Sequence, residues 1–299
     1  MRRIMLTSLV LACLAYQPAH TQTRKLKVHI SVDMEGIAGV VTGDQLGPEG
    51  FEYGRFREFM TQEALAAVTA AKEAGATEIV VADAHGNGEN LLVEQFPPDV
   101  RIVRSWPRKL QMMAGIDSTF DAAVFIGYHA STTNPAGVRA HTFSSANLAR
   151  VTLNGVEMSE GAWNAAIAGH FNVPIVMVSG DDAAVTEIRA VVGNLEGVET
   201  KRTLGFHAAL TLTPQAVQAQ IGPAVKAGLA RRASFMPYKP QGPIVVDVTF
   251  KNYMPAEVLA FLPMFERSSA HSVRFHAKDM AEAAAVMEFI GEYRPDLAP

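Results

Sequence analysis

Four segments of the chain read as short, nearly continuous apolar runs: KVHISVD at 27–33, TEIVVAD at 77–83, DAAVFIGYH at 121–129 and VPIVMVSGD at 173–181. Runs of this length without polar alternation belong to strands covered on both faces. Between them the apolar spacing switches to a helical period. A helix is expected from about Tyr53 to Ala74, closed by Gly75, and another over EGAWNAAIAGHF at 160–171. Strands alternating with helices predict an α/β protein of three layers, a mainly parallel sheet with helices on both faces.

Two stretches interrupt that rhythm. RVTLNGVEMS at 150–159 carries Asn154-Gly155, a two-residue hairpin signal. After about residue 200 the chain offers an Ala-rich helix at 214–232, the Pro-rich PYKPQGP at 237–243 and the strand PIVVDVTF. A short helical AEVLAFL, the strand SVRFHAKD and a last helix from Met280 follow. This tail reads as a smaller C-terminal α/β unit. The expected division is therefore a leader over 1–22, a main α/β domain carrying the chemistry over 23–200 and the smaller unit over 201–299.

With 299 residues, 48% of them hydrophobic, the chain can bury a sizeable core. Its net charge of -4 and the absence of any basic run argue against nucleic acid or an anionic membrane as the main partner, and for a small molecule. The opening residues change where that chemistry takes place. Arg2 and Arg3, an apolar stretch from Ile4 to Tyr16 and a small, polar segment after it have the layout of an export signal. The apolar stretch falls short of the ~20 residues that span a membrane. A periplasmic or extracellular protein with no membrane-spanning segment after signal removal is expected. The sole cysteine, Cys13, lies inside the leader. Val10-Leu11-Ala12-Cys13 loosely matches a lipoprotein cleavage box, so a lipid anchor at Cys13 is the minor alternative. A mature chain without cysteine has no disulfide and no thiolate, and any metal must be held by His, Asp and Glu.

In a doubly wound sheet the carboxyl ends of the strands line one edge, and ligands bind there. The first run ends in Asp33 and Glu35, the second in Asp83 and His85, the third in His129. Residues two apart in extended chain share a face, so Asp33 and Glu35 converge. Adjacent carboxylates in a crevice stay ionised only around a cation. Imidazole with carboxylate is a ligand set for zinc first, and for manganese, iron or cobalt after it. Gly86 and Gly88 in the HGNGEN loop would let backbone approach a ligand. Asp83, Asp181 and Asp182 are read instead as turn or helix caps. His29 and His276 are read as strand residues, and His170, His207 and His271 as surface or structural.

SVDMEG at 31–36, ADAHG at 82–86, GYHA at 127–130, AGVRAH at 136–141 and VEMSEGAWNA at 156–165 resemble the zinc-dependent D-aminopeptidases of the dipeptide-operon type, peptidase family M55. The resemblance continues through VPIVMVSGDD, FKNYMPAE and VRFHAKDM, covering the mature chain in order. It implies two zinc ions per subunit with Asp33, Glu35, His85, His129 and Glu160 as ligands, Asp33 bridging, and His141 as the catalytic histidine. It also implies hydrolysis of short peptides with an N-terminal D-residue, such as D-Ala-D-Ala, in a homo-oligomer that forms a ring-shaped decamer. Glu160 rests on the resemblance alone, since its local pattern is that of an acid in a first helical turn. The loop before His141, small and polar, reads from its own residues as a mobile wall of a site. Two other readings stay open on the residues: a dinuclear metal hydrolase of another amide or ester, and a periplasmic peptide-binding protein.

Overall fold

The structure, a computed structural model, describes residues 25–294. The expected leader and Cys13 lie outside the described residues. In chain order the elements are β1 (Leu26–Val32), α1 (Tyr53–Glu73), β2 (Ala76–Asp83), β3 (Val100–Val103), β4 (Ala122–Tyr128), β5 (Leu148–Leu153), β6 (Val156–Glu157), α2 (Glu160–His170), β7 (Ile175–Asp181) and α3 (Asp182–Val192). They continue with β8 (Glu196–Gly205), β9 (Ala208–Thr211), α4 (Pro214–Ala230), β10 (Ile244–Phe250), α5 (Tyr253–Leu259), β11 (Phe265–Arg267), β12 (Ser272–Ala277) and α6 (Met280–Glu292).

The four apolar runs become β1, β2, β4 and β7, adjacent in a seven-stranded sheet of order β3-β2-β1-β4-β7-β8-β9. Every pairing is parallel except that of β9, which folds back antiparallel on β8. The helix α1 buries Phe56, Met60, Ala64, Ala67, Val68 and Ala71, a stripe at spacings of three and four. It lies with α4 on one face of the sheet, while α2 and α3 cover the other. The strands run outward in both directions from β1 and β4, which makes the β1/β4 boundary the topological switch point.

A second sheet is antiparallel, in the order β11-β12-β10-β5-β6. The Asn154-Gly155 turn joins β5 to β6 with φ of 51° and 81°, both in the left-handed region that such a hairpin turn demands. This sheet draws the smaller unit from two parts of the sequence. The apolar side chains of β5 face those of β10, with Val151 opposite Val248 and Leu153 opposite Val246. The break expected near residue 200 falls inside β8, and β9 and α4 belong with the main sheet. The physical reason is burial, because β5 needs an apolar partner strand and finds it about 90 residues later.

The capping readings of the acids agree with what they touch. Asp181 accepts the Ala184 N–H at 2.7 Å as the N-cap of α3, and Asp182 opens that helix. Asp83 accepts the N–H groups of Asn90 and Leu91 at 2.6 and 2.7 Å, which ties the loop after β2. His276, His170, His207 and His271 are exposed. Among the described residues no helix is long and apolar enough to cross a membrane.

His29 is fully buried on β1 against Phe120, with Nε2 3.1 Å from the Ala114 carbonyl. Burial pushes its pKa down from 6.5 to about 4. The unfolded chain therefore takes up a proton at His29 before the folded chain does. Stability falls as pH drops from the unfolded value toward the folded one, by about 3 kcal/mol in all. His29→Gln keeps a donor for Ala114 and cannot titrate. Urea unfolding of both proteins between pH 7 and pH 4 should show the wild type losing that much more stability than the variant.

Candidate metal centre

The carboxyl ends of β1, β2 and β4 meet at the switch point. Past β1 the chain stays bound to β4: the Asp33 N–H donates to the Ile126 carbonyl at 2.8 Å and the Gly36 N–H to the Gly127 carbonyl at 2.7 Å. A Cβ on Gly36 would lie 2.0 Å from the Tyr128 oxygen, and one on Gly127 2.3 Å from the Asp33 oxygen. Only glycine permits this approach, which brings the acids after β1 against the histidine after β4.

Asp33, Glu35, His85, His129 and Glu160 are between 1% and 6% exposed. His85 Nδ1 lies 2.8 Å from Glu35 Oε2 and 3.3 Å from Asp33 Oδ1. His129 Nε2 lies 3.3 Å from both Asp33 Oδ2 and Glu160 Oε2. Asp33 thus faces both imidazoles with different oxygens. Glu160 opens α2 just after the Ser159 N-cap, where the helix dipole favours an anion. The Phe143 N–H also donates to its Oε1 at 2.6 Å. His141 stacks on His129 with ring centroids 4.1 Å apart, and its Nε2 stands 3.7 Å from Glu160 and 3.9 Å from Glu35.

The orientation of the three imidazoles tests whether a cation fits. Each ring turns one nitrogen to a main-chain carbonyl: His85 Nε2 to Leu46 at 2.7 Å, His129 Nδ1 to Ala130 at 3.1 Å and His141 Nδ1 to Arg139 at 2.8 Å. A carbonyl only accepts, so that nitrogen carries the proton, and in the neutral ring the other presents a lone pair. All three lone pairs point at carboxylate oxygens. Asp33 Oδ2, Glu35 Oε2 and His129 Nε2 are buried without a hydrogen bond. Acceptors facing acceptors at 2.8 to 3.3 Å repel unless a cation or protons lie between them. Donor atoms of Asp33, Glu35 and His129, and of His129, His141 and Glu160, lie within 4.8 Å of one another, as metal ligands must.

Without a metal the protons divide unevenly. Burial, and then the charge of Glu35, raises the Asp33 carboxyl to about 8. Glu35 and Glu160 are as deeply buried, yet His85 and His129 outweigh burial and hold both below the usual carboxylate range. In return the carboxylates lift His85 and His129 well above an ordinary imidazole in spite of burial. His141 goes the other way, lowered by burial and then by neighbouring His129.

The loop before His141 is tied down rather than free. Ser131 and Asn134 bond to Glu187, the Val138 N–H donates to Asp181 at 2.8 Å, and the Arg139 N–H to the Phe206 carbonyl at 3.0 Å. Arg139 itself is left-handed, with φ of 55°, and this turn aims its carbonyl at His141. Asp181 therefore has a second task beyond its cap, which sequence alone did not reveal. A cavity of about 840 Å³ opens over the cluster. Asp33, Glu35 and Glu160 line it, together with the apolar Phe250 of β10, Val258 of α5 and Met287 of α6 and the charged Glu288, Glu292 and Arg294.

Comparison with known proteins gives the family and the fold. The sequence profile of Peptidase M55, described as D-aminopeptidase, matches residues 26–289. The chain is 32% identical over 263 residues to a D-aminopeptidase of Bacillus subtilis (strain 168), covering 88% of this chain and 95% of that protein. Among solved structures it resembles the Zn-dependent D-aminopeptidase DppA from Bacillus subtilis, a self-compartmentalizing protease. That likeness has a TM-score of 0.86 at 31% identity, over 91% of this chain and 100% of that one.

Proposed function

Because the chain belongs to the M55 family of D-aminopeptidases, we propose that it removes N-terminal D-residues from short peptides, D-Ala-D-Ala among them, at a site for two zinc ions. Asp33, Glu35, His85, His129 and Glu160 would hold the metals. The observation that carries this reading is the convergence of buried imidazole nitrogens and carboxylate oxygens at 2.8 to 3.3 Å, a set of ligand atoms that needs either shared protons or a cation between them. Zinc bound there supplies Lewis acidity toward a peptide carbonyl and lowers the pKa of water to near neutrality.

The chain's own residues do the rest. His141 is anchored through Nδ1, so proton exchange takes place at Nε2, which faces the cluster. Its lowered pKa leaves Nε2 unprotonated at neutral pH, ready to take a proton and to return it to the leaving amine. Stacking on His129 fixes the plane of the ring. The cavity over the cluster gives the peptide chain room beside the metal ligands.

Export to the periplasm or beyond and assembly into a homo-oligomer, a ring-shaped decamer by resemblance, complete the reading. Self-compartmentalization in the solved relative supports the assembly. So do large apolar side chains left on the surface, Phe261 at 81% and Leu204 at 73% exposed. A direct test is hydrolysis of D-Ala-D-Ala beside L-Ala-L-Ala by the purified zinc-loaded protein. Turnover of the D-dipeptide with little of the L-dipeptide is expected. Equal cleavage of the two would overturn the D-preference.

A further inference from the structure

The segment 35–40 leaves the metal centre and runs behind it, bonded less by secondary structure than by four side chains, one of them Thr211, whose Oγ1 accepts the Gly39 N–H at 2.8 Å. Lys201, on β8 and 2% exposed, reaches this segment from below. Its Nζ donates to the carbonyl oxygen of Glu35 in a very short contact, to that of Ile37 at 2.9 Å and to that of Val40 at 2.7 Å. All three N–H groups of the ammonium are thereby used on main-chain oxygen. Next to it, Thr200 donates through Oγ1 to the Gly36 carbonyl at 2.5 Å. From the opposite side the fully buried Glu63 of α1 accepts the Ala38 N–H at 3.0 Å.

A lysine buried this deeply is costly unless its charge is useful. Neutral donors could satisfy three carbonyls. The ammonium adds positive charge beside Asp181, Glu63, Glu35 and Asp33, and it grips the main chain of the residue that supplies one of the metal-site carboxylates. The carbonyl cage it fills is of the kind that takes a small monovalent cation, with the cation supplied by the chain itself. We propose that Lys201 is a positioning residue of the metal centre: it fixes segment 35–40, aims the Glu35 carboxylate at His85, and so sets the affinity for zinc. This inference rests on the zinc reading above.

The test is zinc affinity, measured by competition with a chromophoric chelator at a temperature where circular dichroism shows each protein folded. Lys201→Met keeps the apolar stem and loses donors and charge. It is expected to bind zinc about 10- to 100-fold more weakly, the loss typical when a group supporting a metal ligand is removed. Lys201→Ala should be equally weak and should regain affinity when methylammonium is added. Tetramethylammonium, which has no N–H to donate, should restore nothing. A residue that only stabilised the fold would lower the melting temperature and leave zinc affinity and rescue unmoved. Wild-type affinity in Lys201→Met would overturn the proposal, as would a Lys201→Ala protein indifferent to methylammonium. Should neither Lys201 variant fold, Thr200→Val loosens the same segment through Gly36. A several-fold weaker zinc affinity in that protein supports the proposal, and unchanged affinity overturns it. A wild-type protein that takes up no zinc would instead overturn the metal reading itself.

Discussion

Asp33→Asn is expected to lose zinc and, with it, peptide turnover by about 1,000-fold or more. The estimate follows from the several kcal/mol that a bound metal contributes to a hydrolytic transition state, each ~1.4 kcal/mol being tenfold in rate. Asp33 is singled out by geometry, since its two oxygens face His85 and His129 separately, at 3.3 Å each. An asparagine preserves the shape, but it presents an amide where the site needs negative charge. The fold should not suffer. Burial and the Glu35 charge raise the Asp33 carboxyl to about 8. A carboxyl raised above its unfolded value lowers the stability of the metal-free protein as pH rises from the unfolded value toward the folded one. Removing that acid should leave the metal-free melting temperature at pH 7.5 equal or higher, while zinc content and turnover collapse. A melting temperature that drops along with turnover would point to a structural role instead.

His141→Ala should show a different signature, with kcat lowered by about 100- to 10,000-fold, the range that a positioned acid or base contributes, and zinc content unchanged. The separation rests on distance. His141 Nε2 stands 3.7 and 3.9 Å from its nearest carboxylate oxygens, whereas His85 and His129 stand 2.8 to 3.3 Å from theirs. It also has a pKa lowered rather than raised. Elemental analysis beside steady-state kinetics checks both halves of the expectation. Loss of zinc in this variant would make His141 a ligand rather than a proton carrier.

The parts of this site legible in the sequence are those that parallel strands deliver. Asp33, Glu35, His85 and His129 each follow an apolar run, and a doubly wound sheet brings such ends to one edge. Glu160 follows no strand of that sheet. Its position after Ser159 is that of any acid in a first helical turn, and only the fold carries α2 to the edge. His141 depends on a left-handed Arg139 and on Asp181 holding Val138, neither of which has a pattern in the residues. Lys201 is hidden for a related reason. It sits in GVETKRTLG, a polar stretch that reads as exposed strand or loop, and its three partners lie more than 160 residues earlier.

The fold divides in the same way. The long buried strands and α1 were legible from hydrophobic spacing, within a residue or two at their ends. The short strands β3 and β11, and the hairpin of β8 and β9, carry too few buried side chains to stand out. The Asn154-Gly155 turn was legible as a hairpin, but not its sheet, because the partner β10 is set by a distant apolar face.

The central claim is that catalysis belongs to metal held by this cluster. It is tested most directly by dialysing the protein against a strong chelator, then titrating zinc back while following hydrolysis of D-Ala-D-Ala. Turnover should vanish on chelation and return in proportion to added zinc, reaching its plateau at two equivalents per chain. Turnover that survives complete removal of metal would contradict the account.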